Sequence, residues 1–186
     1  MWRRIVLLGV IAATLASSAR AETVRYPTTG FGVDGSARVD AVDAIASAPD
    51  GTIVVAGGGG GGVIIGRYSA GGRPIGFGPQ EKTRSLATGT DCSPGLAVRR
   101  DGAVVVACGD IVATLRPNGS VQSLTSVAGA HFDSLAIDEV GRTVAAGRVL
   151  LRLNADGRIN GSFARDALPS AATSVAIDGG RILLVA

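Results

Sequence analysis

Apolar residues after residue 21 fall into short runs that polar residues, glycine and proline separate. Residues 53–56, 104–107 and 182–185 are apolar without alternation, which is the pattern of a strand buried on both faces. No apolar periodicity of 3.6 residues persists over about ten positions in this part of the chain. The pattern therefore predicts a nearly all-β protein.

Internal repeats organise these runs. The segment at residues 44–57 recurs at residues 96–107, 135–147 and 175–186, each time with a glycine turn between two apolar stretches. The turn glycines Gly51, Gly102, Gly141 and Gly180 follow one another at intervals of about 40 to 50 residues. A run of glycines at 57–62 lies in the longest interval, where an insertion is easily accommodated. The chain is therefore predicted to consist of repeated supersecondary units.

Asp-Gly and Asn-Gly pairs stand between the apolar runs and predict tight β-hairpins, because Asn, Asp and Gly tolerate a positive φ. The predicted turn residues are Asp50, Gly51, Asp101, Gly102, Asn118, Gly119, Asp156 and Gly157. Hairpins pair strands in an antiparallel manner, which argues against a parallel β-helix.

A repeat of about 40 residues with about four short strands is typical of a propeller blade. A two-sheet sandwich is the structural alternative, but it does not explain a nearly constant period. We predict a partial β-propeller of about three to four antiparallel blades across residues 43–186, with units at about 43–90, 91–131, 132–171 and a truncated 172–186. An open apolar edge in the last unit predicts a truncated piece of a longer repeat protein, or self-association through that edge.

Residues 49–57, 65–72 and the pair Phe77-Gly78 resemble the bacterial delta-60 repeat, as do residues 151–163. The resemblance covers most of residues 30–186. The chain departs from the family pattern near Ile75 and Asn160, where the family has an Asp, at Ala164, and in the second unit, which lacks the closing Phe-Gly. The resemblance implies propeller-like architecture in exported proteins and brings no activity or catalytic residues. NHL-type propellers share the Asp-Gly hairpins and are a weaker match.

The N-terminus has the pattern of a secretory signal peptide. Arg3 and Arg4 precede an apolar stretch at residues 5–16, and small residues at 19 and 21 predict cleavage before Glu22. A non-cleaved N-terminal anchor is the alternative. We therefore predict a signal peptide at 1–21, a lead-in segment at 22–42, and export to the periplasm or the cell exterior.

Charge changes once this segment is removed. The full chain has 18 Lys and Arg against 15 Asp and Glu, but residues 1–21 contain three arginines and no acid. The mature chain is then balanced, so the basic precursor does not indicate a nucleic-acid partner. The mature chain also contains no apolar stretch long enough to predict a stable membrane span.

Two cysteines in an exported chain predict one disulfide. A hairpin that turns at Asp101 and Gly102 places Cys92 and Cys108 almost opposite each other, within reach of a bond. Two buried thiols are the alternative. A zinc site is not supported by two cysteines and one histidine.

Three other patterns invite a functional interpretation. The glycine run at 57–62 leads into a strand rather than a helix, which favours a hairpin connection over a phosphate loop. His131 stands near Ser134 and could act as a general base for a serine, but the sequence contains no nucleophile elbow, so catalysis is not favoured. Arg67, Arg116 and Arg152 are predicted to occupy matching places near strand ends, where they are solvated or pair with turn carboxylates, or form a ring that attracts an anion.

The sequence favours an exported, non-enzymatic propeller module without a cofactor, which binds a protein or small ligand or serves as a surface scaffold. The alternative is a metal-dependent propeller hydrolase or lactonase. Its metal would need converging carboxylates, and the chain offers a scattered set outside the turns: Asp43, Asp110, Asp133 and Asp178.

Overall fold

The computed structural model describes residues 42–59, 61–78, 83–89, 91–163 and 166–186. These segments form β-strands and turns, and they contain no helix of the length and apolarity that a membrane span requires. The predicted signal peptide and residues 22–41 of the predicted lead-in segment lie outside the described residues.

The strands form four sheets, and every pairing within them is antiparallel. The first sheet contains β1 (Ala44–Ser47), β2 (Ile53–Gly59), β3 (Gly62–Tyr68), β4 (Pro74–Ile75) and β5 (Thr83–Ala87). The second contains β6 (Gly95–Val98), β7 (Val104–Cys108), β8 (Ile111–Leu115) and β9 (Val121–Ser126). The third contains β10 (Ser134–Ile137), β11 (Thr143–Ala146), β12 (Val149–Leu153) and β13 (Asp166–Ala167). The fourth contains β14 (Ser174–Asp178) and β15 (Arg181–Val185).

The first strand of each sheet lies beside the first strand of the next. β1 contacts β6, β6 contacts β10, and β10 contacts β14, while the later strands of each sheet follow in order away from this row. Sheets that stack face to face around a row of first strands are the blades of a propeller. The prediction of an all-β, partial β-propeller is therefore confirmed, with three blades of four or five strands and one of two.

The second sheet is the centre of the core, because it is covered on both faces. All residues of β7 and β8 are buried. Since successive side chains of a strand point to opposite faces, Val104 and Val106 pack against the first sheet, whereas Val105 and Ala107 pack against the third. The run at 104–107 is thus buried on both faces, as its lack of alternation predicts.

The same prediction is wrong for residues 182–185. Leu183, Leu184 and Val185 are 38–62% exposed. Among the described residues, the fourth sheet packs only one face, through Val175 and Ile182, against the third sheet. The predicted self-association through this edge stays a prediction.

The hairpin turns share one backbone geometry, in which the aspartate and the glycine have different functions. The turn glycines Gly51, Gly102, Gly141 and Gly180 have φ between +79° and +83°. Asp50 and Asp101 do not share the positive φ that the sequence analysis assigned to Asp as well as Gly. Their carboxylates instead accept the backbone N–H two residues later, at 3.1 and 3.0 Å. The acidic residue therefore braces the turn while glycine supplies its conformation.

Candidate functional site

Two seams join the first three blades, and each seam has a buried arginine at its centre. We call the contact of the first and second sheets the first seam, and that of the second and third sheets the second seam. In both, an arginine of the earlier sheet reaches the turn that follows the third strand of the later sheet. These turns are residues 116–120 after β8 and residues 154–158 after β12.

The first seam is centred on Arg67 of β3, whose side chain is 7% exposed. Its Nη1 donates to the carbonyl oxygen of Pro117 in the second sheet at 2.5 Å. Its Nε donates to Oγ1 of Thr52 at 2.8 Å, and Nη2 donates to Oδ2 of Asp50 at 2.7 Å. Every nitrogen of this guanidinium therefore has an acceptor.

The surroundings of Asp50 favour its ionised form, which pairs with Arg67. The Thr52 hydroxyl and amide donate hydrogen bonds to its carboxylate, and the Arg67 guanidinium adds attraction, so the pKa of Asp50 is lowered. The carboxylate stays ionised to lower pH, which maintains the pair with Arg67.

The second seam is centred on Arg99, which lies just after β6 and is 6% exposed. Its Nη1 donates to the carbonyl oxygen of Ala155 at 2.5 Å and approaches that of Gly141 at 3.4 Å. Nε and Nη2 are buried and have no hydrogen-bond partner within the described part of the chain. The nearest carboxylate oxygen, Oδ1 of Asp101, is 3.8 Å from Nε, beyond hydrogen-bond distance.

Arg99 lines a cleft of about 420 Å³ between the second and third sheets. The wall from the second sheet is the β6–β7 turn, and the wall from the third sheet is the β10–β11 turn. The lining residues are Val98, Arg99, Arg100, Asp101, Ile137, Asp138, Glu139, Val140, Gly141 and Ala155. The cleft is a concave surface with several charged side chains and a large exposed apolar side chain, Val140 at 66%.

Asp138 belongs to the wall of this cleft but is already engaged. Burial opposes its ionisation, but hydrogen bonds from the Arg142 side chain and from backbone amides outweigh burial, so the pKa of Asp138 is lowered. Arg142 Nε lies 2.6 Å from Oδ2 of Asp138. Asp138 therefore supports the β10–β11 turn and leaves Asp101 and Glu139 as the carboxylates at the cleft without an arginine at hydrogen-bond distance.

The carboxylates that the alternative metal-dependent hydrolase would need serve separate parts of the structure. Asp43 accepts the amide of Gly58 at 2.8 Å in the first sheet, and Asp178 faces Arg181 in the β14–β15 hairpin. Asp110 accepts the amides of Gly129 and His131 in the second sheet. No group of three or more His, Cys, Asp or Glu side chains within the described ranges could hold a metal ion.

The loop that carries His131 is braced by Asp110. The Gly129 amide donates to Oδ2 of Asp110 at 2.9 Å, and this bond, with the amide and side chain of His131, lowers the pKa of Asp110. Burial raises the pKa of Asp133, and His131 opposes that rise. The Ser134 hydroxyl accepts the amide of Val175 at 3.0 Å. Asp110 therefore fixes the loop that leads into the third sheet, and Ser134 joins the third sheet to the fourth.

The disulfide between Cys92 and Cys108 is present, with the two Cα atoms 5.5 Å apart. It ties the segment before β6 to the end of β7. Gly58 approaches the backbone of Cys92 so closely that a Cβ at this position would overlap its carbonyl group. The Gly61 amide donates to Asp91 at 2.8 Å. Gly58 and Gly61 thus lie in the β2–β3 hairpin, where Gly58 permits close packing of the disulfide-bonded segment.

The predicted turn residues lie at four turns, and only Asp101 among them lines the cleft. The prediction that Arg67, Arg116 and Arg152 match is wrong for Arg116, because Thr114 takes the place of Arg67 in the second sheet. Arg152 lies 4.5 Å above the ring of Phe163 and donates to Asn160. The role of Arg99 was not predicted from the sequence, since a lone charged residue beside a turn is usually solvated.

No protein-family model matches the chain, and no curated protein sequence matches it, so the delta-60 resemblance stays a prediction. Solved structures do match. A protein of unknown function from Bacteroides caccae is 18% identical with a TM-score of 0.49, over 77% of this chain and 52% of that one. A calcium-binding protein, regucalcin, from Agrobacterium tumefaciens is 16% identical with a TM-score of 0.48, over 76% and 51%. A gluconolactonase from Xanthomonas campestris is 14% identical with a TM-score of 0.49, over 83% and 60%. The chain spans between about half and three-fifths of these proteins.

Proposed function

We propose that the chain is an exported, non-enzymatic β-propeller module that binds a small ligand in the cleft of the second seam. The observation that carries this proposal is the buried Arg99 guanidinium, which has two unpartnered donor nitrogens beside a cleft of about 420 Å³. Buried charged donors without partners are rare in native proteins unless a water, ion or ligand satisfies them. A scaffold role alone would not require this arrangement.

Export is supported by two independent features. Residues 1–21 have the pattern of a secretory signal, and a disulfide joins Cys92 to Cys108. Disulfides persist in oxidising compartments such as the periplasm and the cell exterior. The delta-60 resemblance supports the same location and contributes no activity.

The alternative, a metal-dependent hydrolase, requires carboxylates that converge on one point. Asp43 and Asp110 instead use their oxygens to hold backbone amides of their own sheets. These positions favour structural roles. Because these carboxylates already accept backbone amides, the binding proposal fits their positions better than the hydrolase does.

The two functions can be separated on the chain purified after export. A nuclear magnetic resonance screen with mixtures of small metabolites should shift backbone amides at residues 98–101 and 137–141. The metal content of the same preparation should be below stoichiometric. Failure of every mixture to shift those amides would overturn the binding proposal, and stoichiometric calcium or zinc with lactone hydrolysis would establish the alternative.

A further inference from the structure

Comparison of the two seams shows what is missing from the second. In an arginine side chain, Nε–H and one N–H of Nη2 point in the same direction and form a planar fork. In Arg67 this fork is filled by Thr52 and Asp50 of the same sheet. In Arg99 both nitrogens of the fork are buried without a partner. Both arginines donate from Nη1 to a turn carbonyl of the next sheet, and they differ in whether Nε and Nη2 have acceptors.

Among the residues that the structure describes, no side chain that faces Arg99 supplies the missing acceptor. Asp101 is the turn residue that corresponds to Asp50, but its Oδ1 accepts the Ala103 amide at 3.0 Å and stays 3.8 Å from Nε. From the third sheet, the carbonyl oxygens of Ala155 and Gly141 face Nη1, and Asp138 is held by Arg142. Within the described residues, the fork is therefore buried at the cleft without an acceptor.

The shape of the fork favours an anion with two suitably spaced oxygens, such as a carboxylate or a phosphate. Two parallel N–H groups match the two oxygens of a carboxylate, which accepts both hydrogen bonds in one plane. The exposed charged side chains at the cleft are two carboxylates, Asp101 and Glu139, and one arginine, Arg100; the carboxylates outnumber the arginine, so they disfavour ligands with several negative charges and attract a cationic group. A ligand with one carboxylate and a nearby ammonium group satisfies both conditions.

We propose that the fork of Arg99 binds the carboxylate of a small zwitterionic ligand, such as an amino acid or a short peptide, whose ammonium group lies beside Asp101 and Glu139. This inference rests on the proposed function, since it assigns the ligand class of the same cleft. Because Nε and Nη2 are buried, this assignment requires side chains at the mouth of the cleft to move when the ligand binds.

The test is a titration of the mature chain, followed through the Arg99 Nε–H resonance and the amides of the cleft. The probes are glycylglycine, acetate and inorganic phosphate. Glycylglycine should bind at least about tenfold more tightly than acetate, and phosphate should bind most weakly. Tighter binding of phosphate than of glycylglycine would overturn the zwitterion assignment.

Three variants assign the contacts. Arg99→Lys retains the charge but removes the fork, and it should weaken glycylglycine binding at least about tenfold. Arg67→Lys makes the same change where the fork is already filled, and it should leave the affinity unchanged. The double variant Asp101→Asn, Glu139→Gln changes exposed residues, and it should reduce the preference for glycylglycine over acetate even if Arg99→Lys fails to fold.

The outcomes separate the two proposals. Unchanged glycylglycine affinity in Arg99→Lys, or an unchanged preference in the double variant, would refute the carboxylate assignment. Cleft amides that respond to another compound would then keep the binding function. Cleft amides that respond to no compound would refute both.

Discussion

The guanidinium of Arg67 donates a hydrogen bond to the carbonyl oxygen of Pro117, 2.5 Å away and 50 residues later in the chain. Arg99 makes the equivalent bond to Ala155 one sheet further on. Pro117 and Ala155 hold the same place in their turns, directly before the residue that precedes the turn glycine. The acceptors of the two seams are therefore equivalent backbone carbonyls, although the donor arginines come from different positions of the repeat.

We expect Arg67→Met to destabilise the protein by about 2 kcal/mol, because it removes charged hydrogen bonds and leaves the Pro117 carbonyl without its donor. Equilibrium denaturation in urea measures the loss. Arg73→Met is the control, since Arg73 is exposed in the β3–β4 turn. Equal free energies of unfolding for the two variants would contradict a role of Arg67 in the seam.

Gly119→Ala should cost more stability than Gly51→Ala. Both glycines have φ near +80°, so each substitution places alanine in the left-handed region at a cost of about 1–2 kcal/mol. A Cβ on Gly119 would also overlap the backbone of Phe77 and Gly78 in the first sheet, whereas a Cβ on Gly51 meets nothing. We expect a further loss of about 1–3 kcal/mol at Gly119. Thermal unfolding of the two variants side by side provides the comparison, and equal melting temperatures would argue against close packing at the seam.

Removal of the disulfide should lower the free energy of unfolding by about 3 kcal/mol, because the bond closes a short loop between residues 16 positions apart. The variant Cys92→Ser, Cys108→Ser and the reduced wild-type chain should lose similar stability in urea. Intact mass with and without reductant verifies the bond. Two alkylatable thiols in the exported protein would show that it does not form.

Asp110→Ala should destabilise the protein at neutral pH by about 1 kcal/mol, since two backbone amides lose their acceptor. The pKa of Asp110 is lowered in the folded chain, mainly by the Gly129 amide. A lowered pKa contributes stability above the unfolded value of about 3.9, and that contribution disappears as pH falls through the folded pKa. The difference between wild type and variant should therefore shrink below about pH 4, as measured by unfolding at several pH values. A constant difference from pH 7 to pH 3 would contradict this assignment.

The repeat pattern predicted the blades because their determinants are local. Gly51 and Gly102 mark hairpins that a few neighbouring residues specify, and the unbroken apolar run at 104–107 can be buried only between two sheets. The proximity of Cys92 and Cys108 followed from the register of one hairpin. The seams could not be predicted in this way, because Arg99 meets Ala155 across 56 residues and a different sheet.

The same limit explains the errors. Leu183 and Val185 look like buried strand residues, but burial depends on whether another sheet covers them. Arg116 resembles Arg67 in sequence spacing and differs in register, which only the strand pairing reveals. A signal for Arg99 existed in the contrast between the hairpins, since the corresponding residue of the first repeat is Ala48.

Blades with similar sequences would stack in any order if their contact surfaces were identical. The donor to the next blade belongs to β3 in the first seam and to the β6–β7 turn in the second. The first two blades therefore use different positions of the repeat to reach an equivalent carbonyl oxygen of the next blade. Two successive contacts in a repetitive protein thus differ in their donor while they keep the same kind of acceptor.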